Sequence, residues 1–88
     1  MAKIEIYTSP FCGFCFRAKN LLSSKGIDFE EIDVESVEGA REEMTRRTGG
    51  KTSVPQIFSN EVHVGDCDDI YFFESIGELD RKLGRSVV

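Results

Sequence analysis

The stretch Thr8-Ser9-Pro10-Phe11-Cys12-Gly13-Phe14-Cys15 separates two runs of different period. Before it, Lys3 to Tyr7 alternates polar and apolar residues with Ile4 and Ile6 on one face, the pattern of a β-strand. From Gly13 the period changes. Cys15, Ala18, Leu21 and Leu22 form an apolar stripe at helical spacing while Arg17, Lys19, Asn20 and Ser23 face out, so a helix is expected through Phe16 to Lys25. Two thiols three positions apart at a strand-to-helix junction point to redox chemistry. A thiolate at a helix N-terminus meets unpaired backbone N–H groups and the positive end of the helix dipole. Cysteines so placed have pKa values lowered into the range of roughly 3.5 to 7.5. Cys12, ahead of the first turn, is expected to point outward and attack; Cys15, one turn on, is expected to be covered and to resolve.

Working outward, Gly26 readily takes the left-handed conformation that ends a helix. Ile27 to Val34, with Ile27, Phe29, Ile32 and Val34 among acids, reads as a second strand. Strand, helix and strand in about thirty residues make a βαβ unit with parallel strands. Val37, Ala40, Met44 and Arg47 mark the inner face of a second helix, with Arg41, Glu42, Glu43 and Arg46 solvated and Gly49-Gly50 ending it. Val54 to Ser59 and Glu61 to Val64 are short strand-like runs around Asn60, a tight hairpin. Asp66, with Asp69 in the first turn, resembles an N-cap opening a helix that carries Ile70, Tyr71, Phe72 and Phe73. Gly77 interrupts that helix, Leu79 and Leu83 continue it, and Ser86-Val87-Val88 is expected to fray. The order β-α-β-α-β-β-α, with a split last helix, predicts an α/β domain over residues 1–88: a four-stranded mixed sheet with helices on both faces.

Composition narrows the function. A chain of 88 residues, 40% apolar with seven Phe, is large enough to bury one core without cross-links. A net charge of −5 argues against non-specific binding to nucleic acid or anionic membranes. No apolar run approaches membrane-spanning length and no signal-peptide pattern opens the chain, so a cytoplasmic or similarly reducing compartment is expected. Three cysteines do not make a structural disulfide framework.

Three features carry alternatives. Cys12, Cys15, His63 and Cys67 have zinc-ligand spacings, but a βαβ frame is not that of a zinc ribbon, and His63 between Val62 and Val64 reads as an outward-facing strand histidine. Pro55, after Thr52-Ser53-Val54, either marks a strand start as a trans proline or follows a cis bond that turns the Val54 N–H and C=O outward, where a peptide-like substrate could pair. Gly65-Asp66-Cys67-Asp68-Asp69 is either a plain helix cap, which the residues alone favour, or a carboxylate site with Asp68 placed to hold an amine. Cys67 by itself reads as a small buried filler.

Taken together, Tyr7-Thr8, Cys12-x-x-Cys15, Arg17-Ala18-Lys19, Leu21-Leu22 with Lys25-Gly26, Ser53-Val54-Pro55-Gln56-Ile57-Phe58 and Gly65-x-Cys67-Asp68-Asp69 resemble the glutaredoxins over nearly the whole chain. The resemblance implies a thioredoxin fold, a cis Pro55 and glutathione as the physiological thiol. It implies that the glutathione cysteine pairs with the Val54 backbone beside Ser53 and Pro55, that Phe14 forms an aromatic wall, and that the γ-glutamyl end sits on the Cys67 and Asp68 amides with the Asp68 carboxylate near its amine. Three departures stand out. Gly13 and Phe14 replace the family's frequent Pro-Tyr, Ser9 stands where a lysine is common, and Ser53 replaces threonine. With that lysine missing, thiol activation is expected to lean on helix-end amides, Arg17 and Lys51.

The expected activity is that of a dithiol glutaredoxin serving electron transport and cell redox homeostasis. It would reduce protein disulfides and glutathionylated proteins through Cys12 and Cys15, as a monomer with glutathione as co-substrate. The family's couple lies at roughly −200 to −230 mV, near the glutathione poise. The alternative is a [2Fe–2S] carrier, in which Cys12 of two chains and two glutathione thiolates supply four ligands, a dimer that the absence of a proline at position 13 would permit.

Overall fold

The computed structural model describes residues 2–84. Strand β1 (Ile4–Thr8) leads through the cysteine stretch into helix α1 (Gly13–Ser24), then β2 (Glu30–Asp33), α2 (Ala40–Thr48), β3 (Gln56–Ser59), β4 (Val62–Gly65), α3 (Cys67–Ser75) and the short α4 (Leu79–Lys82). The sheet order is β2-β1-β3-β4. β1 and β2 run parallel, as the βαβ pattern requires, and the β1–β3 and β3–β4 pairs are antiparallel. The four-stranded mixed sheet, the parallel first pair and the split last helix agree with the reading from sequence.

Each face of the sheet has its own core. Ile4, Ile6 and Ile57 pack against Ala18, Leu21 and Leu22 of α1, Ile70 of α3, and Leu79 and Leu83 at the end of the described chain. Fully burying an aliphatic side chain of this size stabilises by about 1.5–3 kcal/mol, so this face holds the larger share of the apolar driving force. The other face is smaller: Tyr7 and Phe58 pack with Val34, Ala40 and Met44 of the α2 side. There β1 also buries Glu5, because Arg47 of α2 reaches down to it at 2.9 Å. The same guanidinium donates to the Tyr7 hydroxyl at 2.8 Å and lies 4.1 Å from the Phe58 ring centre. Tyr7 in turn donates to the Glu43 carboxylate.

Several element boundaries differ from the expected ones. α1 begins at Gly13 rather than Phe16, because Cys12 itself is its N-cap. β2 is limited to Glu30–Asp33; Ile27 and Val34 are buried, but by core packing outside the strand. Val37, expected on the inner face of α2, is exposed, since the helix starts only at Ala40 after the left-handed Gly39. β3 starts at Gln56 rather than Val54, and β4 runs from Val62 to Gly65 rather than from Glu61 to Val64. The hairpin turn is Asn60-Glu61, both at positive φ, the two-residue geometry that matches strand twist. The Val54–Pro55 bond is cis, as the resemblance implies. Asp66 and Asp69 form a reciprocal capping box on α3, each side chain accepting from the other's backbone N–H at 3.0 Å. The expected fraying at Ser86-Val87-Val88 lies outside the described residues.

Candidate active site

Three chain segments meet at one end of the sheet: the β1–α1 junction, the loop before β3 and the start of α3. At the first, Phe11 has φ 60 and its side chain is fully exposed. A bulky residue in the left-handed region is a strained conformation of the sort retained where the surroundings require it. It turns the chain so that Cys12 caps α1, its sulfur accepting from the Cys15 N–H at 3.1 Å. The three cysteines are free thiols graded by burial: Cys12 is partly exposed, whereas Cys15 and Cys67 are buried. Burial pushes the Cys15 thiol up to about 12, and its hydrogen bond to Cys12 adds to the rise; the Lys19 charge opposes it weakly. Burial also raises the Cys67 thiol, partly offset by Arg17. At neutral pH both of these thiols therefore keep their protons, and Cys12 is the sulfur that solvent reaches.

On one side of Cys12 lies a groove of about 210 Å³ lined by Phe14, Ser53, Val54, Pro55, Asp66, Cys67 and Asp68. The Val54 carbonyl oxygen is 4.0 Å from the Cys12 sulfur, so the loop before β3 borders the thiol directly. At the far end, helix geometry leaves the Cys67 and Asp68 amides without an intrahelical acceptor. Asp66 and Asp69 are occupied by the cap, and Asp68 is an exposed carboxylate of that turn outside it. The six residues nominated from the family pattern, Phe14, Ser53, Val54, Pro55, Cys67 and Asp68, thus share one groove wall, and Asp66 joins them. Such a groove offers a backbone edge, helix-end amides, an aromatic side and one carboxylate.

Of the cations nominated near the thiol, Arg17 lies over the Tyr71 ring at 5.1 Å. Another cation, Lys19, is ion-paired to Glu31 at 3.0 Å and slightly lowers the Cys15 thiol. It lines a second groove on the other side of Cys12 with Phe11, Phe16 and Asp33. Helical spacing had assigned Lys19 only to the outer face, and its partner comes from β2. His63 is not the plain outward histidine expected: its ring packs 5.1 Å from Phe58 and its Nε2 lies 2.6 Å from Gln56 Oε1. Among the described residues no cluster of three or more His, Cys, Asp or Glu side chains is placed to hold a metal ion, so the four-ligand zinc set does not assemble. No helix among them is long and apolar enough to cross a membrane.

Comparison with known proteins places this geometry. The glutaredoxin family model matches residues 4–64. Glutaredoxin 3 of Escherichia coli (strain K12) is 50% identical over 83 residues, covering 94% of this chain and 99% of that protein. The solution structure of a glutaredoxin from Brucella melitensis matches with a TM-score of 0.80 at 47% identity, over 99% of this chain and 96% of that one. A structure described as "Metal Binding of Glutaredoxins" matches at 0.71 and 44% identity, over 100% and 95% of the two chains. The fold is therefore the thioredoxin fold, and the chain belongs to the glutaredoxin family, with a role in thiol redox chemistry.

Proposed function

We propose that the protein is a glutathione-dependent thiol–disulfide oxidoreductase acting on glutathionylated and disulfide-containing proteins. The observation that carries this reading is the groove beside Cys12, whose backbone edge at Val54, α3 amides and Asp68 carboxylate suit the cysteinyl, carboxylate and amine groups of glutathione. The Cys12 thiolate attacks the glutathione sulfur of a mixed disulfide. The S–S bond breaks, the protein thiolate leaves with the electron pair, and Cys12 becomes glutathionylated. A second glutathione thiolate then attacks the glutathione sulfur, releasing oxidised glutathione and regenerating the Cys12 thiolate.

With a protein disulfide, Cys12 forms the mixed disulfide with the substrate and Cys15 resolves it. That leaves a Cys12–Cys15 disulfide and a reduced protein; two glutathione molecules restore the dithiol. The high value of about 12 for Cys15 fits a waiting role. Part of the rise comes from Cys12, through hydrogen bonding and charge, and once Cys12 is tied up in a disulfide its negative charge is gone. Cys15 then ionises more easily at the point where it is needed.

The deciding test is turnover of a small glutathione mixed disulfide with glutathione as reductant. Cys12→Ser should abolish it, while Cys15→Ser should retain it but lose direct reduction of protein disulfides. Equal loss in both variants with the glutathione mixed disulfide would overturn the roles.

A second reading, a [2Fe–2S] carrier, is favoured by the space around Gly13. A Cβ built there meets nothing within 4 Å, so the helix start beside Cys12 is open at this position. The family relative described by its metal binding points the same way. With Cys15 and Cys67 buried, each chain offers one accessible thiolate, Cys12, and a cluster would need its other ligands from a second copy and two glutathione molecules. Bound there, the cluster would supply iron–sulfur cargo or one-electron chemistry. Anaerobic reconstitution with iron, sulfide and glutathione should then give a coloured dimer lost in Cys12→Ser; a colourless monomer refutes the reading.

A further inference from the structure

We infer that His63 and Gln56 are positioning residues that aim the Val54 N–H into the groove through a hydrogen-bond relay; this rests on the glutathione reading above. Gln56, the first residue of β3, is fully buried, and its side chain folds back on the loop before it. Its Nε2 donates to the Ser53 carbonyl at 3.0 Å. Its Oε1 lies 2.6 Å from His63 Nε2 on the adjacent strand β4. The Ser53 carbonyl can only accept, so the Gln56 amide must present its NH2 to it and its oxygen to the histidine. That orientation requires the proton on His63 Nε2.

The Ser53 carbonyl and the Val54 N–H belong to one planar peptide unit. They point in opposite directions from the same C–N bond. Fixing the oxygen on Gln56 therefore fixes the direction of the N–H, and polarisation along a hydrogen-bonded chain strengthens that N–H as a donor. The Val54 carbonyl, one peptide further on, lies 4.0 Å from the Cys12 sulfur, so the unit being aimed borders the reacting atom. The histidine end of the relay is itself fixed. Its ring packs on Phe58, and burial, reinforced by the Lys51 charge, disfavours a second proton there, while Asp66 and Asp69 oppose that effect. Without the His63 donor the Gln56 amide loses the partner that selects one of its two orientations.

The test is His63→Phe, which keeps a ring against Phe58 and removes the donor, alongside Gln56→Glu, whose carboxylate accepts from His63 but cannot donate to Ser53. Both should raise KM for a small glutathione mixed disulfide roughly tenfold, the loss of about one hydrogen bond of substrate binding, with kcat little changed. Alkylation of Cys12 by iodoacetamide, which does not use the groove, should keep its rate. The ligand-free Val54 amide proton resonance should move upfield in both variants, as the Ser53 carbonyl loses its donor in Gln56→Glu and the fixed orientation of that donor in His63→Phe. A KM within about twofold of the parent with an unmoved Val54 resonance would refute the relay. So would a KM rise matched by slower alkylation and lower Tm, which marks general damage. If the parent protein itself shows no saturation with the glutathione mixed disulfide, the glutathione reading fails, and the Val54 resonance still decides whether the relay exists.

Discussion

Three aspartates, Asp66, Asp68 and Asp69, cluster at the start of α3, and their side chains make different demands. Asp66 and Asp69 satisfy each other's backbone N–H groups at 3.0 Å, so both are committed to the fold. Asp68 stands between them, exposed, on the groove wall. Asp68→Ala should therefore separate binding from stability. Loss of a hydrogen bond between a carboxylate and a ligand ammonium is worth about 1.5–3 kcal/mol, which corresponds to roughly a 10- to 150-fold rise in KM for glutathione mixed disulfides. Its only folding cost is the favourable position of an acid in a first helical turn, about 0.3–1 kcal/mol. Asp66→Ala removes a cap, at about 0.5–2 kcal/mol, and leaves the Asp69 N–H without its side-chain acceptor. For a domain of this size each kcal/mol shifts Tm by about 4–8 °C. Circular dichroism melts and initial rates on the same preparations give both quantities, with Asp68→Asn as the shape-matched control that removes only charge. If Asp68→Ala lowers Tm as far as Asp66→Ala does and leaves KM unchanged, Asp68 is a cap residue and its assignment to the amine is wrong.

The remaining expectations concern the frame and its response to pH. Arg47→Leu leaves Glu5 buried without its partner and strips a cation from Phe58; because the two side chains retain 17% and 10% exposure, the cost is at the low end for a buried pair, about 3 kcal/mol, and a urea-unfolding loss below about 1 kcal/mol would refute it. In that background Glu5→Gln should recover part of the loss, since it removes the stranded charge. His63 is held below its ordinary value of 6.5 by burial, so its contribution to stability is fully present above about pH 6.5 and is lost as pH falls through the lower folded value; His63→Phe should flatten the melting temperature over that acid window, and an unaltered profile would show that His63 does not sense it. Gly65→Ala should destabilise by about 1–3 kcal/mol, since φ is +148° and the new Cβ would sit 2.4 Å from Asp69 Oδ2; a variant as stable as the parent would show that the capping turn can shift at little cost.

What the sequence discloses about this protein is what local chemistry controls. The Asp66–Asp69 cap, the helix end at Gly26, the hairpin at Asn60 and the burial of Cys15 each depend on residues within one turn, and each is readable from type and spacing. Val37 misled because its spacing continued the α2 stripe; the helix begins only after Gly39, which a periodic pattern does not register. Arg47 fits the inner stripe by spacing, but its presence there depends on Glu5, 42 positions earlier in the chain. A buried guanidinium is tolerable only with such a partner, and nothing in the local pattern announces it. His63 is the same case: alternation placed it on a strand, while its role comes from Gln56 across the hairpin. At the site, the residues of the groove were nominated by family pattern, whereas Lys19, Gln56 and His63 needed the strand order to be known.

That strand order is also why one site forms from three distant segments. β1 and β3 are antiparallel, with Tyr7 opposite Gln56, so the end of β1 and the beginning of β3 lie at the same edge. Cys12, just beyond Thr8, and Val54, just before Gln56, are thereby brought together although 42 positions separate them. β4 runs antiparallel to β3 with Gly65 opposite Ile57, so its exit points to that same edge and delivers the N-terminus of α3 there. The Cys12 sulfur, the backbone edge and the helix-end amides are thus fixed by two strand registers rather than by contacts among themselves. A slip of β1 against β3 by one two-residue repeat would keep the apolar faces matched and yet move Cys12 roughly 7 Å relative to Val54, more than the groove can absorb. Glu5, held by Arg47 from the opposite face, opposes that slip, because the carboxylate would be carried away from the guanidinium. The ion pair distant from the thiols is therefore expected to affect the proposed activity through register. Arg47→Leu should lower kcat/KM for glutathione mixed disulfides in the fraction that remains folded; unchanged kcat/KM in that fraction would confine the pair to stability alone.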